Sequence, residues 1–396
     1  MNELKVVELG SVCEVVRGGS PRPIIDYITN EPGGVNWLKI GDVSETDKYF
    51  LHANEKIKTS GISKTREVRV GDLILSNSMS FGRAFITKID GYIHDGWLRL
   101  RPDESRLNKE YLYYFLTSSF AQNQFKAVAT GSVVNNLKSE TVRAAKILLP
   151  PSYVQEKIAN VLSLIDDKIV INTRINNNLH SQCALLYDSI CFNSEKRTLG
   201  DLLAVIETGS RPKGGAQSCG IPSIGAEKIE SFGLYDFSAE KYISVEYFDK
   251  LKRGKVKSGD VLLYKDGAYT GKSSMSLDGF PHSICAVNEH VFILRTNNLY
   301  AQSFLYYTLQ NDAIHQKIYS LACGKAAQPG LNQQELCSIE IPFPSKKDIV
   351  SFEESVNPFM HKIASLALES RKLAELRNAL LPKLLSGELD VSDIDL

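Results

Sequence analysis

The chain has 396 residues, 43% of them hydrophobic, which is enough for two to three domains with ordinary buried cores. It carries 46 Lys and Arg against 46 Asp and Glu, and no long segment is strongly basic (20 basic and 17 acidic in 1–150, 14 and 15 in 198–344). Bulk charge therefore does not announce a nucleic-acid partner, and any such site must be a local patch. No run of about 18 apolar residues exists, which argues against a membrane helix. The charged start MNELKVVELG lacks the apolar core of a signal peptide, and the seven Cys contain no C-x-x-C pair. These features predict a cytoplasmic chain with reduced, mostly buried thiols.

The first 150 residues read as short strands bounded by Gly, Pro and Asp: Val6–Leu9, Asn36–Ile40, Asp72–Ser76, Ala84–Lys88 and Trp97–Arg101. A helix is expected within Asn108–Phe120, where Leu112, Phe115 and Leu116 share a face. A long helical run then follows. Its seam is Ile158, Leu162, Ile165, Ile169, Asn172, Asn176, Leu179, Cys183, Leu186 and Ile190, in alternating steps of four and three with no Gly or Pro inside it. Asn172 and Asn176 on that seam read as residues that fix register.

The second half repeats the first. Leu9-Gly10 is echoed by Leu199-Gly200, and Gly19-Ser20 by Gly209-Ser210. Gly71-Asp72-Leu73-Ile74-Leu75 is echoed by Gly259-Asp260-Val261-Leu262-Leu263, and Leu112-Tyr113-Tyr114-Phe115-Leu116 by Leu305-Tyr306-Tyr307-Thr308-Leu309. So many matches in order mean two copies of one α+β domain. Strands are expected at Gly259–Tyr264 and His290–Arg295, and a helix at Ala301–Leu309. A second seam follows the second copy: Phe352, Val356, Phe359, Ile363, Leu366, Ser370, Leu373, Arg377, Leu380 and Leu384. Pro358 within it is expected to bend or restart that helix.

The expected domains are a first head (1–151), a central helical spacer (152–197), a second head (198–344) and a C-terminal helical spacer (345–396). If the seams pack together, connectivity makes the two helices antiparallel, with a pseudo-twofold axis and a head at each end. The first seam is about 50 Å long at ~1.5 Å per residue, and one DNA turn is about 34 Å. Such a spacer suits two readers on separate patches of one duplex.

Together these features resemble the DNA-specificity (S) subunit of type I restriction–modification enzymes, over nearly the whole chain. The motifs are the duplicated Gly-Asp-hydrophobic run, the segments Gly-x-x-x-Asn-Asn-Leu at 131–137 and Gly-x-x-x-x-Pro-Gly-Leu-Asn at 324–332, the step from Leu149-Pro150 into Gln155-Glu156-Lys157-Ile158-Ala159, and the tail Leu381-Pro382-Lys383-Leu384-Leu385. The second head departs at Lys347-Asp348-Ile349-Val350.

The resemblance implies that each head is a target recognition domain for one half of a bipartite, asymmetric DNA site. It implies that the helices set the gap and dock two methyltransferase subunits, and that two restriction subunits can join them. Adenine-N6 methylation and ATP-dependent cleavage would belong to those partners, and S-adenosylmethionine, ATP and Mg2+ with them. The alternative is a recognition or adaptor subunit of a methyltransferase-only complex without restriction.

The residues agree that this chain is not an enzyme. The nearest string to the Asn/Asp-Pro-Pro-aromatic motif of amino-methyltransferases is Leu149-Pro150-Pro151-Ser152-Tyr153, which lacks the amide or carboxylate. Gly267-Ala268-Tyr269-Thr270-Gly271-Lys272-Ser273 has one residue too few between its glycines for a phosphate loop. The His residues show no metal-ligand spacing.

Base readout needs Arg or Lys for guanine and Asn or Gln for adenine, on loops that enter the major groove. In the first head three loops qualify. They hold Arg17 and Arg22; Ser76, Asn77, Ser78 and Arg83; and Asn135, Asn136 and Lys138. Their counterparts hold Arg211 and Lys213; Lys265, Asp266 and Lys272; and Lys325, Gln328 and Asn332. Ordinary solvated turns are the competing reading of each loop. The loops recur in both heads while their polar residues differ, as two readers on one scaffold require. A basic run at Lys250, Lys252, Arg253, Lys255 and Lys257 reads equally as a phosphate-contacting or a merely solvated face.

Overall fold

The computed structural model describes residues 5–43, 48–78, 81–129, 136–297, 301–324 and 330–391. Contacts divide the chain into two compact units, residues 1–167 with 374–396, and residues 168–373. Neither long helix is a module of its own, because the units share each helix between them.

In the first unit a five-stranded sheet runs Cys13–Arg17, Trp97–Pro102, Leu73–Ser76, Ala84–Thr87, Tyr49–Phe50. Its central strand, Leu73-Ile74-Leu75, is apolar at every position because both faces of the sheet are covered. Leu73 and Leu75 face the helices, in one cluster with Leu98, Leu100, Leu112 and Phe115. Ile74 faces the other way, with Leu38, Phe50, Phe85 and Trp97 beneath a second sheet. Trp97 anchors that layer: its indole N–H donates to the Leu38 carbonyl at 3.1 Å, and its ring meets Phe85 edge-on at 5.6 Å. Lys5–Glu8 pairs antiparallel with Lys146–Leu149, so the head begins and ends in one place and launches the central helix from there.

The second unit repeats this plan with a four-stranded sheet, Leu203–Thr208, Val291–Thr296, Val261–Tyr264, Ser273–Met275. Val261 and Leu263 face the helices, and Leu262 faces the smaller sheet. Glu195–Thr198 with Glu340–Phe343 closes the head as the equivalent ladder does in the first. The expected strands and the helices at 108–120 and 301–309 are present within two or three residues.

The Gly-Asp motif has a structural reason in both heads. Gly71 and Gly259 adopt φ of +91° and +90°, a region that favours Gly. The Asp then closes the turn. Asp72 accepts from the Arg69 N–H at 2.9 Å, and Asp260 from the Lys257 N–H at 2.8 Å. Each Asp also takes a two-pronged guanidinium: Arg101 on Asp72 at 2.9 and 2.7 Å, Arg295 on Asp260 at 2.6 and 2.7 Å.

The central helix spans Ser152–Cys191 and the C-terminal helix Lys346–Ser386. Ser345 caps the latter, accepting from the Asp348 N–H at 3.2 Å. Gly387 at φ +75° ends it. Within the second unit the helices are antiparallel: Asn172 meets Glu369 at 2.9 Å and Ser370 at 3.3 Å, while Asn176 meets the Ile363 carbonyl at 3.3 Å. In the first unit Asp166 receives Arg377 at 2.7 Å and the Tyr114 hydroxyl at 2.6 Å, tying both helices to the head.

Ile158, Leu162, Val356, Ile363 and Leu366 are buried as the seam predicts. Ile165, Ile169, Leu179, Phe359, Leu373 and Leu380 are half-buried.

Three expectations need correction. Leu186 is exposed, and Tyr187 takes its place against Phe304 and Phe352, at ring distances of 5.4 and 6.3 Å. The helix end packs on the head as well as on its partner helix, so a strict 3.5-residue repeat gives way to the natural 3.6. Pro358 does not restart the helix, which is continuous from Lys346 to Ser386. Pro358 and Glu354 are exposed, so solvent can satisfy the Glu354 carbonyl that lacks an N–H partner. The thiols are also less uniformly buried than expected: Cys13, Cys183 and Cys285 are buried, but Cys219 and Cys323 are exposed.

Glu353 on the C-terminal helix accepts from the Phe304 N–H at 2.7 Å, and burial pushes its carboxyl up to about 7. A raised folded value favours the protonated form. Its stabilising contribution is complete below the ordinary carboxyl range and is lost as pH rises through about 7. Glu353→Gln should therefore raise the melting temperature above pH 7 and flatten its decline between pH 5 and pH 8. Thermal melts of both proteins across that range check this, and an unchanged pH profile would refute it.

Candidate nucleic-acid interface

The three loops chosen from sequence meet in each head through backbone hydrogen bonds, two of which are at matching positions. In the first head Gly18 N–H donates to the Trp97 carbonyl at 2.9 Å, Asn77 N–H to Gly96 at 2.9 Å, and Leu137 N–H to Asn77 at 2.8 Å. In the second, Gly209 N–H donates to Asn288 at 3.2 Å, Lys265 N–H to His290 at 3.1 Å, and Leu331 N–H to Lys265 at 2.8 Å. The loops thus form one face at one edge of each main sheet. A further loop, just before the last sheet strand, lies at the centre of each set.

That central loop was not singled out in the sequence, and it carries the acid that organises the face. In the first head it is His94-Asp95-Gly96. Asp95 accepts the Ser20 hydroxyl at 2.6 Å and pairs with Arg22 at 3.4 Å. Its backbone carbonyl accepts Arg17 Nε at 3.0 Å and Asn77 Nδ2 at 2.9 Å. The Ser20 hydroxyl, with His94 and Arg22 nearby, holds the Asp95 carboxyl below its ordinary value. Burial pushes His94 down, and its Nδ1 accepts the Gly96 N–H at 2.8 Å. Beside this network a cavity of about 580 Å³ is lined by Pro21, Arg22, Trp37, Lys39 and His94.

In the second head the loop is Asn288-Glu289-His290. Arg211 pairs with Glu289 at 3.0 Å, and His290 reaches Asp266 at 2.6 Å. Lys265 pairs with Asp266 at 2.6 Å, and Lys272 with Glu230 at 2.7 Å. Lys272 also lies over the ring of the exposed Tyr269, at 4.7 Å. Setting HDGWLRL beside NEHVFIL places Asp95 opposite Glu289. That alignment is the signal by which the sequence could have shown the fourth loop.

The remaining expected residues divide by exposure. Arg17, Arg22, Asn136, Lys138, Arg211 and Lys213 are exposed, and Ser78 and Arg83 are half-buried. Burial lowers the pKa of Arg83. Ser76 and Asn77 are buried and hold the loop together instead of facing solvent: Ser76 Oγ accepts the Arg83 N–H at 3.0 Å, and Asn77 is the brace to Asp95. Asn332 is exposed but caps a short helix, accepting the Glu335 N–H at 2.9 Å. Asn135, Lys325 and Gln328 lie outside the described residues.

The face thus offers guanidinium, ammonium and amide groups from loops fixed on a sheet edge, with polar residues that differ between the heads. Such groups can bond base edges and phosphates.

Known proteins share this plan. A family model described as type I restriction modification DNA specificity domain matches residues 1–181 and again 193–377. The type I restriction enzyme MjaIX specificity subunit of Methanocaldococcus jannaschii is 23% identical, covering 98% of this chain and 94% of that protein. The HindI specificity subunit of Haemophilus influenzae is 22% identical, with 90% and 94% covered. The S subunit of a type I restriction-modification system from M. genitalium superposes with a TM-score of 0.57 at 16% identity, over 97% of each chain, a likeness of fold. Among the described residues no helix is long and apolar enough to cross a membrane.

Proposed function

Because this chain belongs to the family of type I restriction-modification DNA specificity proteins, where its part is recognition and not catalysis, we propose that each head reads one half of a bipartite, asymmetric DNA site. The observation that carries this reading is the convergence of the same loops in both heads with different side chains on them. Arg17, Arg22, Asn136 and Lys138 serve one half-site, and Arg211, Lys213, Lys265 and Lys272 the other. The paired helices set the gap between the halves and dock two methyltransferase subunits. Leu164, Ile171 and Leu185 on the central helix are exposed apolar residues that a docked subunit would cover. Those partners methylate adenine N6 with S-adenosylmethionine, and ATP-dependent endonuclease subunits, with ATP and Mg2+, join them.

The test is a head exchange. Residues 198–344 are replaced by the matching head of a relative with a different target, and the methylated sites of the host are sequenced. One half-site should change and the other should stay. A change in both halves, or in neither, would sink the proposal.

A further inference from the structure

The reading loops are not the whole basic surface. In each head the stretch leading into the Gly-Asp turn is also basic. In 56–69 five basic residues (Lys56, Lys58, Lys64, Arg66 and Arg69) stand against one acid, Glu67. In 245–257 five (Lys250, Lys252, Arg253, Lys255 and Lys257) stand against Glu246 and Asp249. In a chain balanced at 46 and 46, these are local excesses of positive charge at one repeated position. The repeat holds in register, with Lys64 and Lys252 each eight residues before the motif Asp.

Two observations tie this flank to the reading face. The first is close backbone approach. A Cβ on Gly19 would lie 2.4 Å from the Lys64 carbonyl oxygen, and a Cβ on Gly254 would lie 2.4 Å from Gly209 Cα. The flank therefore sits directly on the first reading loop in both heads, with no room for a side chain between them. In the second head the Ser210 and Tyr247 hydroxyls, 2.8 Å apart, add a link.

The second is charge pairing. Of the loop cations, Arg22, Arg211, Lys265 and Lys272 are each held by a carboxylate and Arg17 by the Asp95 carbonyl, whereas Lys138 and Lys213 have no carboxylate partner among the described residues; on the flank, Arg69 pairs with Glu67. Among the described residues Lys64, Arg66, Lys252, Arg253 and Lys257 have no carboxylate partner, and all five are exposed. A cation fixed by a carboxylate has a set direction, as base readout requires. One without a carboxylate, on a rigid backbone, suits a phosphate.

We propose that this flank is a phosphate clamp, one per head, which grips the duplex backbone beside the half-site irrespective of sequence. The clamp rests on the DNA-reading function and adds the element that supplies its sequence-independent affinity.

The test is salt-dependent binding of the full chain to two duplexes of equal length. One carries the site mapped from the host methylome and the other a scrambled sequence. Lys64→Gln/Arg66→Gln and Lys252→Gln/Arg253→Gln should weaken both duplexes by the same factor. Each pair should make the slope of log K against log salt shallower by about 0.9 for every phosphate that the variant no longer neutralises. Lys252→Arg/Arg253→Lys should restore binding, and Lys346→Gln/Lys347→Gln, an equal charge change elsewhere, should leave it unchanged. Circular dichroism confirms that each variant is folded.

Weakening confined to the mapped site, or an equal weakening by the Lys346 and Lys347 pair, would overturn the clamp. So would flank variants that bind as the parent does. A parent chain that binds neither duplex would overturn the DNA-reading function itself, and the clamp with it.

Discussion

Inserting one heptad into each helix, after Asn176 and after Ile363, should lengthen the gap in the DNA target by about three base pairs and leave both half-sites unchanged. Asn176 donates to the Ile363 carbonyl, so the paired insertion adds facing turns to both partners. Seven residues add roughly 10 Å of helix at ~1.5 Å per residue. The duplex rises about 3.4 Å per base pair. A heptad also turns the helix by only ~20° short of whole turns, so the seam stays facing its partner. Methylome sequencing of a host carrying the variant reads the outcome directly. Altered half-sites with the gap untouched would refute the helices as a ruler. An insertion in one helix alone should instead destabilise the chain, because it leaves apolar seam residues without a facing surface.

The second large effect concerns the Gly-Asp motif. Asp260→Ala should destabilise the second unit by about 3–5 kcal/mol, because it removes the two-pronged partner of Arg295 in a largely buried site and leaves it only Glu207 at 3.1 Å and the Lys255 carbonyl at 3.3 Å. The Asp260 side chain is only 3% exposed and Arg295 21%. The matching change Asp72→Ala should cost about half as much, since Asp72 and Arg101 are 13% and 35% exposed and water can take over part of the guanidinium's bonding. Hydrogen exchange read peptide by peptide separates the two heads. Asp260→Ala should loosen Val261–Tyr264 and Val291–Thr296, whereas Asp72→Ala should loosen Leu73–Ser76 and Trp97–Pro102. Replacing both partners, Asp260→Ala with Arg295→Met, should recover much of the stability. An Asp260→Ala variant no less stable than Asp72→Ala would show that burial does not set the strength of this pair.

What the sequence by itself determined is what local chemistry encodes. The heptad spacing specified two long helices, because burying one stripe demands that period. Leu73-Ile74-Leu75 and Val261-Leu262-Leu263 specified strands, because short apolar runs bounded by Gly and Asp suit a strand covered on both faces. The duplicated motifs specified two heads, and the same duplication marked three loops in each that the fold does bring together.

Only the tertiary structure decided what depends on distant partners. Ser76 and Asn77 look like readers in sequence, yet folding buries them as braces. Asp95 and Glu289 look like ordinary loop acids, yet they sit where the loops meet, because antiparallel pairing brings the loop before the last sheet strand beside the end of the first. Tyr187 replaces Leu186 because the helix end must fit a head as well as a helix. The basic flank was visible as charge, but its place against Gly19 and Gly209 was not. Close backbone approach between segments tens of residues apart leaves no trace in composition or period.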